Sequence, residues 1–171
     1  MVKPPIISIV GFSNSGKTRL MVELITRLKQ RGYRVASLKH CHDGFDLDVE
    51  GKDTWKHKQA GADTTMMVGP ELVGLLVNQP MRLSLAELCK RYAPEADIAL
   101  AEGFSWEAVP KILVASRATF AEEKVADDQY LIALVNPYEA SNLPQFEFTE
   151  ASMDALAQWV EERFLKANLR S

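Results

Sequence analysis

The residues Gly11-Phe12-Ser13-Asn14-Ser15-Gly16-Lys17-Thr18 fit the pattern G-x-x-x-x-G-K-[ST], whose chemistry is the grip on a polyphosphate. Backbone N–H groups of such a loop curl around a β-phosphate, and the positive end of the following helix faces the same anion. Lys17 would reach the β- and γ-phosphates, and the Thr18 hydroxyl would ligate Mg²⁺. Gly11, Ser13, Asn14, Ser15 and Gly16 form the rest of the cradle.

A phosphate loop binds; hydrolysis or transfer needs a divalent ion and a second anionic group. The run Ile98-Ala99-Leu100-Ala101 ends on Glu102 and Gly103. Ligands of open α/β sheets gather at the carboxyl ends of strands. Glu102 is therefore read as the Walker-B-like acid, holding Mg²⁺ directly or through a water. Asp97 competes, but five extended residues separate the two by about 16 Å, too far to share one ion. Lys39 ends an earlier strand and points to the same carboxyl edge.

The segment after it is acidic: Asp43, Asp46, Asp48, Glu50 and Asp53. One reading has Asp46 or Asp48 assisting Mg²⁺ or ordering a water; the other is a solvated loop. Lys52, Lys56, His57 and Lys58 form a small basic segment, which receives a second anion or is the exposed face of a short helix. His40-Cys41-His42 has the ligand types of Zn²⁺ or Ni²⁺. Three consecutive residues rarely close a tetrahedral site, so a structural or phosphate-facing role is preferred. Asn136-Pro137-Tyr138-Glu139 keeps the asparagine and acid of the guanine-reading N-K-x-D motif but lacks its lysine. An Asn-Pro turn explains it equally well. GTP and ATP are not separated on these grounds.

Elements must hold these residues in place. The β-branched run Ile6 to Val10 predicts a buried strand before the loop. Leu20, Leu24, Ile25 and Leu28 recur at helical spacing over 17–31, and Gly32 terminates that helix. A strand over 34–39 completes a βαβ unit with a right-handed crossover. A short helix over 53–60, capped by Asp53, precedes Gly61. Thr64–Val68 and Leu72–Val77 read as a hairpin. Ser84-Leu85-Ala86-Glu87 has capping-box spacing and opens a helix to about Tyr92. Strands follow at 96–101, 111–115 and 131–135, and a last helix after Thr149 buries Met153, Leu156, Ala157, Val160 and Phe164. The fold class is α/β: three layers, a mostly parallel sheet with helices on both faces, of P-loop NTPase type, with a small antiparallel hairpin. One domain over 1–171 is expected; strand order is not legible.

With 171 residues, the chain can bury a core without disulfides or metal. Acidic residues (23) slightly outnumber basic ones (20), for a formal charge of −3. That balance gives no global support for a nucleic-acid partner. Cys41 and Cys89 form no C-x-x-C pair, which suits a reducing compartment. No apolar run is long enough to span a bilayer, and no signal peptide is evident, so a cytoplasmic protein with no membrane partner is expected.

Four pieces together resemble the MobB family of molybdopterin-guanine dinucleotide biosynthesis adapter proteins. They are Gly11 to Thr18; Lys39-His40 with Asp46-x-Asp48; Gly51-Lys52-Asp53-Thr54 with Ala60-Gly61-Ala62; and Glu102-Gly103-Phe104 followed by Pro110-Lys111. The resemblance implies a homodimer that binds GTP with Mg²⁺ and hydrolyses it weakly. It also implies a guanylyltransferase partner that attaches GMP to molybdopterin, with molybdopterin itself a candidate ligand. By motif position, Lys17 and Glu102 would be catalytic, Thr18 and Glu102 would hold the metal, and Lys39, Asp46 and Asp48 would belong to the surrounding site. Two positions depart from the pattern: Asn14 replaces a common glycine, and Ser105 replaces a common lysine. Two other readings of the loop are a small-molecule kinase, with Arg91 or Arg117 as lid arginine, and a GTP-dependent metallochaperone using His40, Cys41 and His42.

Overall fold

The structure is a computed structural model that describes residues 4–46, 48–78, 83–115, 128–137 and 141–166. Arg117, Tyr138 and Glu139, singled out above, lie outside the described residues. The described chain divides into two compact units: a larger one built from the residues up to His40 and from Ser84 onward, and a smaller one over Cys41–Leu83.

The larger unit is a six-stranded sheet of β1 (Ile6–Val10), β2 (Val35–Lys39), β5 (Ile98–Glu102), β6 (Lys111–Val114), β7 (Leu131–Val135) and β8 (Gln145–Phe146). Its order is β2-β5-β1-β6-β7-β8. Every pairing is parallel. The central strands are buried on both faces, which is why they read as continuous apolar runs rather than alternating ones.

Alternation still decides which helix each residue meets. Ile7, Ile9, Ile98, Leu100, Ile112 and Val114 face α1 (Lys17–Gln30) and α4 (Glu150–Val160), against Leu20, Leu24, Leu28, Met153, Leu156 and Val160. On the other face, Leu85 of α3 (Leu85–Tyr92) packs with Ala101 and Phe104. Helices therefore cover both faces. Helix α4 runs on into a π-helical turn, Glu161–Lys166, which buries Leu165. The capping box of α3 forms as expected: Ser84 Oγ accepts from the Glu87 N–H at 3.3 Å, and Glu87 Oε2 accepts from the Ser84 N–H at 2.9 Å. Such a cap contributes about 1 kcal/mol.

In the smaller unit, β3 (Thr64–Val68) and β4 (Val73–Val77) pair antiparallel, and α2 (Asp53–Gln59) accompanies them. Register places Met66 opposite Leu75 and Val68 opposite Val73 on one face of the ribbon, and all four are exposed. Two local expectations are corrected here. Asp53 is the first helical residue, not the cap; Lys52 holds the cap position, with no side-chain cap hydrogen bond. The Asp53 carboxylate serves the helix from its first turn instead, 3.6 Å from Lys56. Strand β8 was not expected, being two residues long. Among the described residues, no helix is long and apolar enough to cross a membrane.

Candidate functional site

The loop after β1 turns through conformations that L side chains seldom adopt. Gly11 has φ +139° and Gly16 φ +106°. A Cβ on Gly11 would stand 2.5 Å from the Val114 carbonyl oxygen, and one on Gly16 3.2 Å from the Phe148 ring. Asn14, the departure from glycine, has φ +61°, a left-handed conformation that asparagine tolerates better than most residues. The Ser15 hydroxyl is buried without a hydrogen-bond partner, as expected of a loop shaped around an absent polar group.

Lys17 opens α1 and folds back over the loop. Its Nζ donates to the Gly11 carbonyl at 2.8 Å and to that of Phe12. Thr18 Oγ1 donates to the Glu102 carboxylate, 3.1 Å from both oxygens. Lys39 Nζ lies 3.6 Å from Glu102 Oε1. Register explains the meeting: Lys39 pairs with Glu102 across β2 and β5, and Ile9 pairs with Glu102 across β1 and β5. Three strand ends and a helix start thus converge. Glu102 is only 9% exposed, and its carboxylate meets the Lys39 ammonium and the Thr18 hydroxyl there. Thr18 and Glu102 offer only hard oxygen donors, the set that Mg²⁺ prefers.

Asp97 sits at the opposite end of the β5 run. It accepts from the Arg34 N–H at 2.7 Å and pairs with the Arg34 guanidinium at 2.9 Å. These Arg34 contacts hold its carboxyl below the usual range. Asp46 and Asp48 lie in the smaller unit. His40 packs edge-on against Trp106 (4.6 Å between ring centroids) and Phe104 (5.6 Å), while exposed His42 lies 3.5 Å from Asp43. Cys41 and Cys89 are free thiols. Among the described residues, no group of three or more His, Cys, Asp and Glu is placed to hold a metal. Asn136 ends β7 with φ +57° and donates its N–H to the Phe146 carbonyl at 2.7 Å.

The family model for MobB, described as "Molybdopterin guanine dinucleotide synthesis protein B", matches residues 6–137. The chain belongs to the MobB family. A molybdopterin-guanine dinucleotide biosynthesis adapter protein of Haemophilus influenzae is 35% identical over 135 residues, covering 78% of this chain and 75% of that protein. The adapter protein of that description from Escherichia coli is 29% identical over 166 residues, covering 93% and 95%. The crystal structure of Bacillus subtilis MobB aligns with TM-score 0.71 and 28% identity, covering 90% of this chain and 96% of that one.

Two features of this MobB chain were missed from sequence. Lys111, in the family-like Pro110-Lys111 pair, is 2% exposed and donates to Asp128 Oδ2 at 2.6 Å. Its ammonium lies 5.0 Å from the Tyr130 ring centroid. Arg19 stacks over Phe148, 4.4 Å from its centroid, and donates to the Phe148 carbonyl at 3.2 Å. That contact buttresses Gly16 from α4's side. The one sequence signal for the first was a lysine opening an otherwise apolar strand; for the second there was none.

Proposed function

We propose that this MobB chain is a GTP-binding adapter of molybdopterin guanine dinucleotide formation, with slow Mg²⁺-dependent hydrolysis as its intrinsic chemistry. Its partner would be the guanylyltransferase that joins GMP to molybdopterin, in the cytoplasm. The observation that carries the nucleotide reading is the convergence of Lys17, Thr18, Lys39 and Glu102 at one sheet edge. Loop amides and the α1 N-terminus would receive the phosphates. Lys17 would leave its two carbonyls for the β- and γ-phosphates, and Lys39 would add a second positive charge. Thr18 and Glu102 would hold Mg²⁺, which when bound neutralises charge on the phosphate oxygens.

Family membership favours GTP over ATP and hydrolysis over transfer to a metabolite. The decisive measurement is calorimetric titration with GTP and ATP, each with and without Mg²⁺. Tight binding of ATP alone, or of neither, refutes the reading. Glu102→Gln keeps the size of the side chain but weakens its hold on a cation. It should leave GTP binding measurable and lower the Mg²⁺-dependent turnover about tenfold to a hundredfold; unchanged turnover would remove Glu102 from the mechanism. We also propose a homodimer. The exposed apolar ribbon face of Met66, Val68, Val73 and Leu75 supports it, since such faces favour association. Light scattering that returns only the 19.1 kDa monomer mass at micromolar protein would refute it.

A further inference from the structure

Lys39 closes β2 and Glu102 closes β5, and the register sets the two residues side by side. The backbone around them is pinned. The His40 N–H donates to the Glu102 carbonyl at 3.0 Å, and the Gly103 N–H to that of Ile9 at 3.0 Å. Just beyond, the His40 ring packs on Trp106 and Phe104. Lys39 can therefore part from Glu102 only by turning its side chain, not by a shift of strands.

The two side chains differ in freedom. That of Glu102 is 11% exposed, and both of its oxygens lie 3.1 Å from the Thr18 hydroxyl. That of Lys39 is 62% exposed, with Nζ 3.6 Å from Glu102 Oε1. A fixed carboxylate thus carries a movable ammonium. The same oxygens are the hard donors that suit Mg²⁺. A single and a double positive charge about 4 Å apart repel strongly enough, even in water, to change affinity about thirtyfold.

We infer that Lys39 is a placeholder for the divalent cation, neutralising Glu102 until phosphate oxygens draw the ammonium away. A polyphosphate in the loop carries more negative charge than one carboxylate, so it is the group able to draw it off. Lys39 then makes metal capture conditional on nucleotide, a coupling that works in both directions. The phosphate half of this inference rests on the proposed function; the competition for Glu102 does not.

The test is Mn²⁺ binding to the full chain, followed by loss of the free-ion electron paramagnetic resonance signal. Mn²⁺ stands in for Mg²⁺ because both favour carboxylate and hydroxyl oxygens. Without nucleotide, Lys39→Met should bind Mn²⁺ about threefold to thirtyfold more tightly than wild type, the lower figure allowing for solvent screening. Lys39→Arg keeps the charge and should bind as wild type does. Lys90→Met removes one charge from the exposed surface of α3 and measures the effect of net charge alone. Adding Glu102→Gln to Lys39→Met should abolish the gain, which locates it on this carboxylate. In protein loaded with GTP, the gap between wild type and Lys39→Met should narrow.

A gain no larger than that of Lys90→Met, a gain shared by Lys39→Arg, or one that survives Glu102→Gln would overturn the inference. So would a gap as wide with GTP as without it, or no Mn²⁺ uptake by any variant at about 10 mM. Mg²⁺-dependent GTP binding with Mn²⁺ affinity unchanged in Lys39→Met would overturn the placeholder alone. The expected Mn²⁺ pattern in a protein that takes up no GTP would overturn the nucleotide reading and leave the competition for Glu102 standing.

Discussion

Lys17→Ala should weaken GTP binding by at least about a hundredfold, because a charge-assisted hydrogen bond contributes about 1.5–3 kcal/mol and two are lost. In the free protein the ammonium is already desolvated on one side by the Gly11 and Phe12 carbonyls. On binding, these two bonds would be exchanged for bonds to the β- and γ-phosphates. The fold should hardly change, since the two carbonyl bonds of Lys17 join it only to residues of its own loop. Lys17→Arg should not restore affinity, for a planar guanidinium does not reproduce the compact point charge that would reach both phosphates. Calorimetry and thermal unfolding on the same samples check both halves. GTP affinity equal to wild type in Lys17→Ala would end the case for this loop as the nucleotide site.

Lys111→Met should destabilise the fold by about 3–5 kcal/mol, because it strands a largely buried carboxylate. The Asp128 side chain is 19% exposed and the Lys111 side chain 2%. Burial pushes the Asp128 pKa up, but the Lys111 hydrogen bond, the Tyr130 N–H and the lysine charge outweigh it and hold the pKa below the ordinary value. A depressed folded-state pKa means stability that is fully present above the unfolded pKa, near 3.9, and lost as pH falls through the folded value. In Lys111→Met the burial effect stands without its counter-charge, so the carboxyl should titrate above its unfolded value. The penalty is then relieved by protonation. The gap between wild type and variant should therefore narrow as pH is lowered through about 4. Chemical denaturation at pH 7 and pH 4 measures it. A gap independent of pH would show that Lys111 acts by filling space alone.

How legible these features were depends on how local their causes are. Gly11 to Thr18 could be read because strand, loop and helix are consecutive, and Asn14 could be predicted to tolerate φ +61° from its own chemistry. Glu102 could be placed at a strand end because an apolar run stops there, and the structure finds it beside Thr18. Its neighbour Lys39 was legible for the same reason. The ion pair of Lys111 with Asp128 was not: it joins a strand start to a residue seventeen positions away, and pairing of that range has no periodic signature. The slot of β5 between β2 and β1 was equally hidden, since hydrophobic runs of similar length exchange places in a parallel sheet without changing pattern. The cap of α2 failed for a smaller reason. Lys52 and Asp53 compete for adjacent roles, and a carboxylate in the first turn serves the helix nearly as well as one before it.

The strand order also governs how the protein is made. β1 pairs with β5 and β6, as Ile6 with Ala99 and Ser8 with Lys111, and β2 pairs only with β5. On the ribosome, the Ile6–Val10 segment therefore emerges long before any strand exists to receive it. Closing loops of about ninety residues before the first reward makes folding slow, and the waiting β-branched stretch is an aggregation hazard that a chaperone would shield. Nascent chains stalled before Ile98 should accordingly associate with such chaperones, while chains released past Val114 should not.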